Sequence, residues 1–189
     1  MKQFTFSGDM TSRLPVTPNI GMDYRKNEYK EIWLAGGCFW GVEAYMSTLP
    51  GVYDAENGYA NGNTVNPTYE EVCTGFTNFA ETVHVIYEVD STNLKKLLFE
   101  FFKIINPTSL NRQGNDIGSQ YRTGIYYKEE SDKNIILEVL AEEQKKYTKS
   151  IVTEVLPLKN FYLAEEYHQN YLEKNPNGYC HIDFSKLEQ

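Results

Sequence analysis

The residues of this chain best suited to covalent chemistry are its thiols, at positions 38, 73 and 180. The first lies in GGCFWG (36–41), between two glycines and two large aromatic side chains. Glycine lets a backbone turn tightly or be approached closely, and adjacent aromatics supply a rigid apolar wall. Cys38 therefore reads either as an inert core cysteine or as a nucleophile at the foot of a small apolar pocket. Cys180, in NPNGYC near the end of the chain, tips that balance. A thiol on a mobile tail can reach a sulfenic acid at Cys38 and condense with it to a disulfide; the bland alternative is a stray exposed thiol. Cys73, in YEEVC, reads as structural. The histidines at 84, 168 and 181 are too scattered for a Cys–His dyad. His84 is expected at the surface and His168 as a hydrogen-bonding residue beside the tail. No C-x-x-C pair is present, so neither a zinc site nor a thioredoxin-type motif is expected.

Cys38 needs activation. It follows a strand and opens a helix, where unpaired amides favour negative charge. That effect is worth roughly 0.3–1 kcal/mol, and one pKa unit corresponds to about 1.4 kcal/mol. The helix alone thus lowers a thiol by less than about one unit from about 8.5. No His, Lys or Arg occurs in the ten residues after it. A modestly lowered pKa is expected, with the rest of the activation supplied by the fold or by substrate.

The elements that must position these groups follow from periodicity. Residues 31–35 read as a short apolar strand and 41–49 as a helix stopped by Pro50-Gly51. A strand over 52–60, a loop over 61–67 and a short helix through Tyr69 and Val72 follow. TVHVIYEV (82–89) alternates cleanly, which predicts a strand. An amphipathic helix over 93–105 ends at Pro107, and 106–120 is a polar loop. Next come a strand over 121–127, a helix over 130–147, a strand over 151–156 and a helix over 161–172, with coil to the end. The order β-α-β-β-α-β is the split β-α-β pattern of a ferredoxin-like sandwich.

The whole chain sets limits. Its 189 residues, 41% hydrophobic and 23% charged, suit one soluble globular domain. A net charge of −8 argues against sequence-independent binding to nucleic acid or anionic lipid. Neither a signal-peptide core nor a run of about eighteen apolar residues occurs. Three cysteines make no disulfide framework, so a reducing compartment, the cytoplasm, is expected.

These residues resemble the A-type methionine sulfoxide reductases, the peptide-methionine (S)-S-oxide reductases. The likeness runs from GCFWG through GVYDAENGYANGNTVNPTYEEVCTG (51–75), AETV (80–83), NRQGNDIGSQYR (111–122) and AEEYHQNYLEKNPNGYC (164–180), in family order. It implies that Cys38 is the nucleophile and that Phe39 and Trp40 wall the pocket for the substrate methyl group. It implies that Glu81 is the acid at the sulfoxide oxygen, with Tyr69, Asp116 and Tyr121 around that oxygen, and that Cys180 is the resolving cysteine. The implied fold is α+β, a two-layer sandwich with a ferredoxin-like core and a long coiled C-terminal segment. An extended arm (1–30) would precede one catalytic domain (31–189), whose mobile tail (173–189) carries Cys180. The implied enzyme is a monomer that reduces the S epimer of methionine sulfoxide, free or protein-bound. Thioredoxin would reduce its disulfide, with no metal or organic cofactor. The chain has Asn78-Phe79 where members usually carry Gly-His before the Ala-Glu pair. Many members also carry a cysteine beyond NPNGYC, so recycling here is expected to need only the Cys38–Cys180 pair. A thiol peroxidase or a redox-sensing thiol protein is the alternative, and neither accounts for the ordered blocks.

Overall fold

A computed structural model describes residues 28–182 and 184; the expected N-terminal arm lies almost entirely outside them, as does much of the tail beyond Ile182. Strand β1 (Tyr29–Gly36) leads into helix α1 (Phe39–Met46), then strand β2 (Val52–Ala60) and the short helix α2 (Tyr69–Cys73). Strand β3 (Ala80–Glu88) precedes helix α3 (Leu94–Ile104), and the two-residue strands β4 (Arg112–Gln113) and β5 (Asp116–Ile117) form a small hairpin. After a 3₁₀ turn at Ser119–Tyr121 come strand β6 (Thr123–Tyr127), helix α4 (Glu130–Gln144), strands β7 (Glu154–Pro157) and β8 (Phe161–Leu163), and helix α5 (Tyr171–Lys174).

Six strands form one sheet in the order β7-β6-β1-β3-β2-β8. All its pairs are antiparallel except β6 with β7. Alternation along the strands sends Ile32, Leu34, Val83, Val85 and Ile125 to one face, where they meet Val42 and Met46 of α1 and Leu98 and Phe101 of α3. Ile32 sits opposite Val85 and Leu34 opposite Val83, so register and burial agree. The other face carries a smaller apolar cluster of Trp33, Ala35, Ala60, Ala80 and Tyr126, capped by Leu158 and Phe161.

Two expectations fail here. His84 is not at the open surface: its ring stacks on Trp33 at 4.6 Å and lies between Glu31 (2.8 Å) and Glu56 (3.2 Å). Residues 161–172 are not one helix. Phe161–Leu163 pair with the edge of β2, the Glu165 carboxylate is used by Tyr59 and Tyr69, and Asn170 turns left-handed at φ 51°. Cys73 is exposed, and Val72 is the residue that α2 buries. No helix among the described residues is long and apolar enough to cross a membrane.

Candidate active site

Cys38 occupies the N-cap position of α1. The chain reaches it through Gly37, whose φ of +87° favours glycine and whose Cβ, if present, would lie 2.6 Å from Gln113 Cβ. The β4–β5 hairpin therefore presses directly on the turn that presents the thiol. The two amides after Cys38 are free of intrahelical partners, as at any helix start, and each takes a group of the site. Trp40 N–H bonds to the Cys38 sulfur. Phe39 N–H donates to Glu81 Oε2 at 3.2 Å. Thiol and carboxyl are thus hung from adjacent amides.

Glu81 lies on β3 opposite Tyr59 of β2 and is 1% exposed. Burial, reinforced by the Asp116 charge and opposed by Phe39 N–H, pushes its carboxyl up to about 8. At neutral pH it is therefore a protonated acid, and its Oε1 has no protein partner. A buried polar atom left unpaired costs free energy, which marks Oε1 as the atom free to meet a ligand.

The thiol departs from expectation. Burial pushes Cys38 well above its ordinary pKa, the charges of Glu81 and Asp116 add to that, and the Trp40 amide only partly offsets it. Removing an anion from water outweighs the small helix-terminus effect. The resting site pairs a neutral thiol with a neutral acid.

The remaining polar residues converge from separate elements. Tyr69 opens α2, whose start is fixed by a capping box between Thr68 and Glu71. Tyr121 ends the 3₁₀ turn. Burial first, then the Glu81 charge, raises both phenols, so both stay protonated donors. Asp116 on β5 accepts from Tyr179 Oη at 3.2 Å and lies 3.9 Å from His181 Nδ1, joining the site to the C-terminal segment. Its field also reaches Cys38, Glu81 and Cys180.

Phe39 is a core side chain against Tyr59 and His168, whereas Trp40 is half-buried. Trp40 Nε1–H donates to His168 Nδ1 at 3.0 Å, and its ring stacks on Tyr171 at 3.7 Å. That bond fixes the imidazole tautomer with its proton on Nε2, 4.0 Å from Glu165 Oε2. Burial lowers the His168 pKa and keeps the ring neutral. Glu165 also accepts from Tyr59 Oη (2.7 Å) and Tyr69 N–H (2.8 Å). His168 and Glu165 thus hold Trp40 and Tyr69 in place. His168 is a hydrogen-bonding residue as the sequence led us to expect, with Trp40 as its partner, but sequence reasoning passed over Glu165, Gln113 and Glu43; the signal for Glu43 is a lone acid in the apolar run FWGVEAYM.

Cys180 lies against α1: a Cβ on Gly41, one turn after Cys38, would stand 2.9 Å from its sulfur. Burial raises its pKa, and Ile182 N–H donates to the sulfur at 3.4 Å. Cys38 and Cys180 are both free thiols. The structure therefore places Cys38, Glu81, Tyr69, Asp116, Tyr121 and Cys180 within one another's field, with Trp40 beside them on α1, whereas Phe39 faces the core. Among the described residues no group of three or more His, Cys, Asp or Glu side chains is placed to hold a metal ion.

Comparison with known proteins gives a consistent result. A family model described as "Peptide methionine sulfoxide reductase" matches residues 30–189. The peptide methionine sulfoxide reductase MsrA of Clostridium perfringens (strain SM101) is 63% identical over 153 residues, covering 81% of this chain and 98% of that protein. The crystal structure of Mxr1 from Saccharomyces cerevisiae in reduced form superposes with a TM-score of 0.79 at 39% identity, covering 87% of this chain and 96% of that one. Mxr1 in complex with Trx2 matches with a TM-score of 0.56 at 28% identity, over 80% of this chain and 91% of that one.

Proposed function

This chain belongs to the peptide methionine sulfoxide reductase family, and we propose that it reduces the S epimer of methionine sulfoxide, free or in proteins, through a Cys38 sulfenic acid and a Cys38–Cys180 disulfide that thioredoxin reduces. The observation that carries the reading is the pairing of Cys38 with a carboxyl neutral at physiological pH, on adjacent amides of α1. A sulfoxide sulfur is a poor electrophile until its oxygen is protonated. Glu81 supplies that proton, with Tyr69 and Tyr121 donating hydrogen bonds to the oxygen and Asp116 flanking them. Trp40, backed by Tyr171, and Phe39 behind it form the apolar side that receives the methyl group.

The thiol proton of Cys38 passes to the network as Glu81 gives up its own, so the site binds substrate without first exposing an anion. The sulfur of Cys38 attacks the sulfoxide sulfur, and an S–S bond forms as the protonated oxygen leaves as water. Water then attacks the Cys38 sulfur, breaking the S–S bond to release methionine and leave Cys38 as the sulfenic acid. Methionine sulfoxide and Cys38–SH become methionine and Cys38–SOH, a two-electron exchange that needs no metal or organic cofactor. The Cys180 thiol then displaces water from the sulfenic acid to form the disulfide. A thioredoxin dithiol restores both thiols by exchange; the Trx2 complex of Mxr1 supports that donor. Epimer choice rests on family membership.

The strand order β6-β1-β3-β2, with α1 after β1 and α3 after β3, supports a ferredoxin-like core beneath this site. Three cysteines without a disulfide framework suit a reducing compartment, the cytoplasm, where the enzyme would act as a monomer. Cys180→Ser tests the scheme. It should release one methionine per enzyme, accumulate a sulfenic acid trapped by dimedone, and fail to cycle with thioredoxin. Sustained thioredoxin-driven cycling by Cys180→Ser would remove that thiol from the reaction.

A further inference from the structure

The reaction just described leaves one buried acid on the nucleophile's own helix unused. Glu43, five residues after Cys38 on α1, is 2% exposed. Its Oε1 accepts from Asn170 N–H at 2.8 Å, and the Tyr171 amide and the Asn57 side-chain amide also bond to its carboxyl. Asn57 in turn donates to the His168 carbonyl at 2.8 Å. Asn170 holds the left-handed turn that opens α5, so these bonds fix the start of α5 against α1. Trp40 stacked on Tyr171 is a second α1–α5 contact, and buried Leu172 supports it. From Lys174 the chain runs through the Asn175–Gly178 turn to Cys180, whose sulfur returns to α1 at Gly41. Both ends of the segment bearing Cys180 therefore meet the helix that bears Cys38, at Glu43 and at Gly41.

We propose that Glu43 is a positioning residue for disulfide formation: it anchors the root of the Cys180 segment to the Cys38 helix and so sets the effective concentration of the resolving thiol. The inference rests on the two-thiol reading above. With α5 docked, the tether to Cys180 is six residues from Lys174, folded by the Asn175–Gly178 turn; released, it runs eleven residues from Gln169, which Asn57 and Ala164 still hold. Effective concentration falls roughly as the −3/2 power of tether length, so release slows ring closure by about 2.5-fold. Glu43→Ala leaves the Asn170 and Tyr171 amides without their acceptor, which drives the start of α5 toward water. Glu43→Gln keeps one oxygen for Asn170 and should rescue part of the rate.

The test is a single turnover with one equivalent of a methionine sulfoxide peptide and no reductant, timing methionine release and loss of free thiols separately. Glu43→Ala should slow thiol loss by about 2.5-fold beyond any slowing of methionine release, with Glu43→Gln in between. If both steps slow by the same factor, Glu43 is merely structural; if thiol loss keeps the wild-type rate, it anchors nothing. Either result overturns the proposal. Should Glu43→Ala not fold, Glu43→Gln decides by the same two clocks. A wild-type protein that releases no methionine would instead sink the reductase reading, and hydrogen peroxide as oxidant of Cys38 would still time disulfide formation.

Discussion

Replacing Glu81 by Gln should slow the reaction steeply and, at alkaline pH, stabilise the protein relative to wild type. The folded chain holds the Glu81 proton to about pH 8, against an ordinary carboxyl value of 4.5. The folded state therefore binds more protons than the unfolded state between those values. Stability from this group is full below the lower value and is lost as pH rises through the upper one. The gap of roughly 3.5 units, at about 1.4 kcal/mol per unit, makes the loss up to about 5 kcal/mol. Glu81 is almost wholly buried, so solvent does little to screen it. Gln carries no titration and keeps an oxygen for the Phe39 amide. Thermal melts of both proteins across the range isolate the effect, because groups common to both, such as Glu43 at about 7, cancel in the difference. The Tm of Glu81→Gln relative to wild type should climb by roughly 10 °C between about pH 5 and about pH 9, at about 2–4 °C per kcal/mol for a chain of this size. A difference that stays flat over that range would refute a neutral Glu81, and with it the proton source for the oxygen.

The same substitution should slow single-turnover methionine formation by about 10²- to 10⁴-fold while sulfoxide binding survives, which rapid-quench rates and equilibrium titration together would check. Because burial raises Cys38, its alkylation in a Cys73→Ser, Cys180→Ser background should stay slow through neutral pH and accelerate only at pH values above those at which a free thiol ionises; a midpoint at or below that of a free thiol would contradict the neutral resting thiol. Trp40→Ala removes both the methyl wall and the bond to His168, and should lower kcat/KM for a sulfoxide peptide by at least about tenfold. A peroxidase would tolerate that change, so equal losses with sulfoxide and with peroxide would count against a methyl pocket.

The strands that hold the site were readable because their apolar residues alternate. β3 puts Val83 and Val85 on one face and Thr82 and His84 on the other, and β2 spans the expected 52–60. The thiol, the acid and the two phenols were legible as residue types in ordered blocks. What the sequence hid depends on partners distant in the chain. Residues 161–172 have helical spacing, yet a free edge on β2 and the demands of Tyr59, Tyr69 and Asn57 on Glu165 and Gln169 break the helix. The polar segment 106–120 reads as loop, but Gln113 is 2% exposed and satisfies both backbone groups of Asn106 while it packs on Gly37. The direction of the Cys38 shift was misjudged because helix position is visible in sequence and burial is not. His84 looked exposed because Trp33 and the two carboxylates that enclose it come from β1 and β2.

The central claim is that Cys38 and Cys180 together reduce one epimer of a sulfoxide. It is tested most directly by giving the fully reduced protein the two separated epimers of a methionine sulfoxide peptide, without reductant, and counting both methionine formed and thiols lost. The account predicts one methionine per chain from the S epimer alone and the loss of two thiols, with a small dithiol restoring turnover. Consumption of neither epimer, or reduction of the S epimer with Cys180 still free, would contradict it.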